Sequence, residues 1–302
     1  CSGYIGQGAG LFELGQYAEA IAAFDEPIDT DPINIDALVC ARVGQGCAVD
    51  ALGQYAEAIA EYDQAISFNP SYSLAHHNRG EALMQLGQFQ EALEAFDQSI
   101  QGNQDWGALS IGSAYNYRAV VYMQLGQYSE AMTELEQVIT LSSDDSSTTA
   151  QAYALQGLIH NEAGQYPEAI AAFDKAIDID PKNVDVVDVV LSGYIAQGAA
   201  LVELGQYAEA IAAFDKAIDT DPKNIDALVF AHVGRGNALG GLGQYAEAIA
   251  AFDQAIHLNF SNSLAHHNRG EVLLILSQFQ EALEAFDQSI QINQAWGSLN
   301  IG

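Results

Sequence analysis

Along residues 204–221 the apolar side chains Leu204, Tyr207, Ala210, Ile211, Phe214 and Ile218 recur at steps of three and four. That is the period of a helix with one apolar face, and it predicts a helix over about 207–218. Asp221-Pro222 stops it, because the residue before a proline is pushed out of the helical region. Upstream, Tyr194, Gln197, Gly198 and Leu201 form the stripe of an earlier helix, and Gly205 breaks the chain between the two. Gly198 has no side chain, so a partner helix can come close. The expected unit is a pair of antiparallel helices with a tight turn.

The pattern returns eight times. The phrase LGQYAEAIAAFD stands at 14–25, 204–215 and 242–253, with variants at 52–63, 86–97, 125–136, 163–174 and 276–287. Its turn residue is Gly15, Gly53, Gly87, Gly126, Gly164, Gly205 and Gly243, with Ser277 in the eighth slot, giving intervals of 38, 34, 39, 38, 41, 38 and 34. Such a period means stacked supersecondary units, none of which buries its apolar face alone. A longer period lies over it. Residues 1–112 align with 191–302 without a gap at an offset of 190, roughly three quarters identical. The chain therefore divides into a five-unit block, 1–190, and the first three units of a second copy, 191–302.

These residues carry a resemblance to the tetratricopeptide repeat family, whose unit has a small residue, Gly, Tyr, Ala, an aromatic, Ala and Pro in order. Unit six fills the slots with Gly198, Gly205, Tyr207, Ala210, Phe214, Ala217 and Pro222, and unit two with Gly46, Gly53, Tyr55, Ala58, Tyr62, Ala65 and Pro70. Gln104, Ser143, Phe260 and Gln294 depart from the closing Pro, and Pro27 from the Ala. The resemblance spans essentially the whole chain. It implies an all-α, right-handed superhelical solenoid of about eight helix-turn-helix units, binding peptides or proteins on a concave face lined by the first helices. The slots that line it in that family hold Ile5, Ala9 and Phe12, then Val43, Cys47 and Asp50, then His77, Glu81 and Met84. Asn116, Val120 and Met123 follow, then Ala154, Leu158 and Asn161. The second copy continues with Ile195, Ala199 and Val202, Val233 and Asn237, and His267, Glu271 and Leu274. A basic clamp for a peptide carboxylate is not among them: the four lysines, Lys175, Lys182, Lys216 and Lys223, fall on second helices or in loops. An apolar or basic partner suits such a groove.

Charge narrows the partners further. Forty acids against nine bases, a net −31, exclude nucleic acid and anionic membrane surfaces as natural partners, since both reward Lys and Arg. No uncharged stretch is expected to reach a membrane-spanning length, the longest, near 189–202, being broken by Ser192, Gly193, Gln197 and Gly198. The compartment stays open: extracellular for a filament, otherwise cytoplasmic.

Candidate chemistry is sparse. Cys1, Cys40 and Cys47 face Leu191, Phe230 and Asn237 in the second copy, which speaks against a disulfide or metal site the fold needs. Because Cys1 aligns with a residue inside a repeat, a cut in a longer array is expected there. His76, His77 and Glu81, repeated as His266, His267 and Glu271, offer too few converging ligands for zinc and read as polar groove lining. Asp178, Asp180 and Asp185 are weak calcium candidates against a solvated acidic edge, since the order lacks the Gly and terminal Glu of an EF-hand loop. No catalytic constellation or cofactor motif emerges, so binding rather than catalysis is expected.

Two interaction surfaces are also expected. The extra residues at 35–38, 107–111, 146–149, 184–190 and 225–228 lengthen the next first helix by about a turn. Their apolar members, with Trp106, Val186, Val187, Val190 and Trp296, either fold back or form a lateral contact strip. At the ends, Tyr4 and Leu11 of the first unit and Leu283, Phe286 and Ile290 of the last present complementary stacking faces. The expectation is head-to-tail self-association into a fibre or other higher-order assembly. A soluble adaptor holding a peptide or protein in the groove is the alternative.

Overall fold

A computed structural model of the chain describes residues 2–30, 33–102, 111–141, 145–180 and 182–299. Among them are sixteen α-helices and no strand. The first four hairpins are α1 (Ser2–Glu13) with α2 (Tyr17–Thr30), α3 (Ile35–Ala51) with α4 (Tyr55–Phe68), α5 (Ser73–Gln85) with α6 (Phe89–Gly102), and α7 (Ile111–Gln124) with α8 (Tyr128–Leu141). Then come α9 (Ser146–Glu162), α10 (Tyr166–Ile179), α11 (Val184–Glu203) and α12 (Tyr207–Thr220). The last two hairpins are α13 (Ile225–Gly241) with α14 (Tyr245–Leu258) and α15 (Ser263–Ile275) with α16 (Phe279–Leu299). Contacts separate two compact units, Cys1–Ala152 and Tyr153–Gly302. The sequence offset that ends a block at residue 190 falls inside α11.

Every turn within a hairpin is built alike. The Gly N–H bonds back to one carbonyl and the following Gln N–H to the carbonyl before it, as in Gly15 to Phe12 (2.8 Å) and Gln16 to Leu11 (2.9 Å). This closure needs a left-handed residue, and the seven glycines sit at φ +70° to +77°. Ser277 adopts the same conformation at φ +61° despite its side chain. The Gln carbonyl then starts the second helix, accepting from the Ala four residues on.

Alanine sets how closely the helices pack. Ala20, Ala58, Ala92, Ala131, Ala169, Ala210 and Ala248, each six places after the first residue of its phrase, are fully buried. The later slot holds Ala65, Ala176, Ala217 and Ala255, also fully buried, while Pro27 fills it inside an unbroken α2.

The added residues at 35–38, 146–149, 184–190 and 225–228 do lengthen first helices, while 107–110 lie outside the described residues. α3, α9 and α13 run 17 residues and α11 runs 20, against 13 in α5 and α15. One expectation changes here. Asp185–Glu203 is by length and composition a helix long and apolar enough to cross a membrane. In the structure it serves as a core helix: Val186, Val190, Leu191, Tyr194 and Leu201 are buried, and Gln197, also buried, donates to the Tyr166 carbonyl at 3.2 Å.

Candidate functional site

In seven of the eight units the phrase ends in an aromatic residue followed by Asp (the fourth ends in Leu135-Glu136), and in six of these the pair works at the seam to the next unit. Phe24 lies between Gly8 of its own hairpin, where an added Cβ would come within 2.6 Å of the ring, and Gly44 of the next, where it would meet the same ring. Phe214 is held likewise by Gly198 and Gly234. The neighbouring Asp takes a hydrogen bond from the residue after that second glycine: Asp25 from Gln45 at 2.6 Å and Asp215 from Arg235 at 2.6 Å.

The other seams follow the rule with different letters. Asp63 accepts from Arg79 at 2.7 Å, Asp253 from Arg269 at 2.6 Å, and Asp97 from Arg118 at 2.9 Å, where Phe96 stacks on Tyr117. Asp174 accepts from Tyr194 at 2.8 Å, and Phe173 meets Gly193 and the Tyr194 ring. That last seam uses Gly193-Tyr194 about one turn earlier on the helix than the Ala196-Gln197 pair aligned with Gly6-Gln7, consistent with the longest spacing in the chain. Exposed ion pairs of this kind contribute only about 0.2–1 kcal/mol each. The aromatic burial is larger, about 1.5–3 kcal/mol per ring, so the Asp mainly fixes which residue faces which. These donors were not singled out from the sequence. The available signal was weak: an Asp in seven of the eight phrases, followed at six of them by a donor of varying type 16, 20 or 21 residues later.

The residues expected to line the groove separate by burial. Ile5, Phe12, Cys47, Glu81, Met84, Val120, Met123, Leu158, Ile195 and Val202 are half-buried, and Asn237, His267, Glu271 and Leu274 are exposed. Val43, Val233, Asn116 and His77 are instead buried and offer no surface to a ligand. Asn116 donates to the Thr148 carbonyl at 2.9 Å. His77 is enclosed by Phe96 and Tyr117 and lies 3.0 Å from Glu81, so it is a packed core histidine rather than polar lining. Around Cys47 the first unit gathers polar groups. Asn78 Nδ2 lies 3.2 Å and the Tyr62 hydroxyl 3.7 Å from its Sγ. Burial above all, with Asp50 and Glu81 near, pushes the Cys47 thiol up against the opposing effect of those hydrogen bonds. Burial, then Glu81, also pushes the Asp50 carboxyl up.

The remaining candidates scatter. Val186 and Val190 are fully buried and Val187 half-buried, so these valines fold onto neighbouring helices and do not make an exposed strip. Trp106 lies outside the described residues, as does the side chain of Trp296, which sits on α16. Asp178 is exposed on α10, Asp180 closes that helix, and Asp185 opens α11, where Asn183 caps its N–H. Among the described residues no three acidic, Cys or His side chains converge as a metal site. At the ends, Tyr4 is 43% exposed, whereas Leu11 packs into the first hairpin. Leu283 and Ile290 are exposed on α16 and Phe286 is half-buried.

Comparison with known proteins agrees with this architecture. The C-terminal part of a TPR repeat-containing protein from Cytophaga hutchinsonii superposes with a TM-score of 0.64 at 18% identity, covering 87% of this chain and 98% of that one. A tetratricopeptide repeat protein from Parabacteroides merdae gives 0.55 at 17% identity, covering 90% and 98%. At this identity the likeness concerns the fold alone. A search of curated proteins finds no match. TPR repeat profiles match residues 51–87 and 198–229, and tetratricopeptide repeat profiles match 74–104, 110–182 and 233–295. With these matches together spanning most of its length, the chain belongs to the tetratricopeptide repeat family, a family of protein-interaction scaffolds.

Proposed function

We propose that this chain acts by binding and not by chemistry, and that its stacking faces join it end to end with further copies. The observation that carries this reading is a contrast between two nearly identical hairpins. In the first unit Met84, Phe89, Leu93 and Ile100 of α5–α6 pack with Ala114, Tyr117 and Val121 of α7. Their counterparts in the last hairpin, Leu274, Phe279, Leu283 and Ile290, are all at least half exposed. Leu93 is 8% exposed and Leu283 59%. The same apolar row takes a helix where one is offered, and contiguous exposed apolar rows mark protein contacts. Sedimentation across a concentration series tests this: the average mass should rise above 32.2 kDa. A mass that stays at the single-chain value up to millimolar concentration would overturn it.

A second reading has its own support. Asp50 and Glu81 beside Cys47 place negative charge on the inner helices with no Lys or Arg at the groove positions. A basic or apolar segment of another protein suits that surface. Binding of a Lys-rich amphipathic peptide should weaken in an Asp50→Asn/Glu81→Gln variant, and indifference to that change would remove this reading.

A further inference from the structure

Between successive second helices, above the first helix they flank, a groove opens, and one version of it already holds an ammonium group. Over α11, between α10 and α12, a groove of 460 Å³ is lined by Asp174, Ile177, Tyr194, Lys216 and Asp219. Lys216 reaches across it from α12, its Nζ 2.8 Å from the Asp174 oxygen that also accepts from Tyr194. Lys216 stands two places after the ring residue Phe214. Lys175 stands two places after Phe173 and puts its ammonium 5.1 Å from the centroid of the Tyr153 ring. Tyr194 and Tyr153 share a slot, four places before Gly198 and Gly157, the glycines that meet those two phenylalanine rings.

The groove over α5 has the same frame without the lysine. It lies between α4 and α6 and measures 440 Å³, with Asp63, Ile66, His76, Gln98 and Gln101 in the places of the five residues over α11. Gln98 brings no charge to the position of Lys216, and two acceptors go unused. His76 is 7% exposed, and its Nε2 lies 2.9 Å from the Pro70 carbonyl. A carbonyl only accepts, so that nitrogen carries the proton. Burial, which outweighs the opposing Pro70 bond, holds the ring's pKa below its ordinary value, so the ring is neutral and Nδ1 offers a lone pair. Nδ1 has no hydrogen-bond partner among the described residues. Glu94, on the groove wall, likewise makes no hydrogen bond or ion pair among them. The other charges are already matched: Asp63 takes Arg79 at 2.7 Å and Asp97 takes Arg118 at 2.9 Å. The second copy repeats the lining over α15, where His266 Nε2 lies 3.0 Å from the Phe260 carbonyl, so this contact survives the change from Pro70.

We infer that the groove over α5 receives the lysine side chain of a protein partner, its ammonium held by His76 Nδ1 and the charge of Glu94 and its methylene stem lying along Ile66. The chain itself indicates the class of ligand, since its own lysines fill the equivalent positions on α10 and α12. This surface shares no residue with the Asp50–Glu81 surface considered above.

Nuclear magnetic resonance of the full chain tests it, with Nα-acetyl-L-lysinamide as the probe and the uncharged Nα-acetyl-L-norleucinamide as control at equal ionic strength. The lysine probe should shift the His76 Nδ1 resonance and the Ile66 and Gln98 amides saturably, and the control should not. Gln98→Lys supplies the lysine that α12 has at Lys216, and should weaken probe binding over α5 at least tenfold while leaving binding over α15 unchanged. Glu94→Gln should weaken it about twofold to fivefold, the worth of one exposed ion pair. Unaltered binding over α5 in Gln98→Lys, or shifts over α11 as large as those over α5, would mean adsorption to an acidic surface and overturn the assignment. Tighter binding of 1,4-diaminobutane than of the lysine probe would overturn the protein source in favour of a free diamine. Circular dichroism at 222 nm, unchanged in each variant, excludes misfolding as the cause.

Discussion

The clamp on Phe24 makes one amino-acid change carry opposite signs at two glycines. Gly10 and Gly44 both lie inside helices, α1 and α3. Replacing a helical glycine by alanine stabilises by about 0.5–1 kcal/mol through lost freedom of the unfolded chain. At Gly10 nothing lies within 4 Å of the new methyl group, so that gain should appear in full. At Gly44 the methyl group would run into the Phe24 ring, which is already held from the other side by Gly8. The ring cannot retreat without opening the other contact, and overpacking of this kind costs about 1–3 kcal/mol. The balance for Gly44→Ala is a loss of about 1–2 kcal/mol, since the helix gain offsets part of the clash. Stacked repeats open unit by unit, so a single melting temperature can average the effect away. Hydrogen exchange resolved along the chain is the better measurement, reading the amides of α2 and α3. Protection there should fall roughly fivefold to thirtyfold in Gly44→Ala. It should not fall in Gly10→Ala. Equal stabilisation by both substitutions would refute the clamp as the element that spaces these hairpins.

Ser277→Gly should raise the stability of the last hairpin by about 0.5–1 kcal/mol, because a side chain at φ +61° carries strain that glycine lacks; exchange at the amides of α15 and α16 checks it. Pro27→Ala should stabilise the first hairpin by about 1–3 kcal/mol, since the proline removes a helical hydrogen bond inside α2; an unchanged unfolding midpoint would count against that. Asp50 has a carboxyl pKa raised by burial and by Glu81, so its contribution is fully present below the ordinary value of 3.8 and is lost as pH rises through the raised one. Asp50→Asn should therefore stabilise at pH 7 and lose that advantage below pH 3.8, as read by urea unfolding at both values.

The hairpin, its turn and its repetition are legible because local chemistry dictates them. An apolar residue every third or fourth place, a glycine able to go left-handed and an Asp-Pro stop need no tertiary information. Burial on the first helix of each hairpin was not legible to the same degree. His77 and His267 occupy the same slot in near-identical sequence, yet the first is buried and the second half exposed, because Tyr117 covers only the first. Likewise Val186 and Val190 read as an apolar row that could face outward, and only their packing places them inside. The seam donors were missed for a related reason. Gln45, Arg79, Tyr194 and Arg235 share no side-chain chemistry beyond a hydrogen to donate, so no residue pattern announces them.

That tolerance at the seams has a consequence for how such a chain changes over generations. The reading half of each joint is nearly constant, an aromatic and an Asp, while the answering half needs only a small, polar or flat residue and a donor. A duplication or deletion that moves whole units leaves a workable joint on both sides of the cut, with no compensating change elsewhere. Unit number can drift while each joint stays intact, which makes length the cheapest property of this protein to alter. The 112-residue near-duplicate within it, set 190 residues along the chain, is the record such an event would leave.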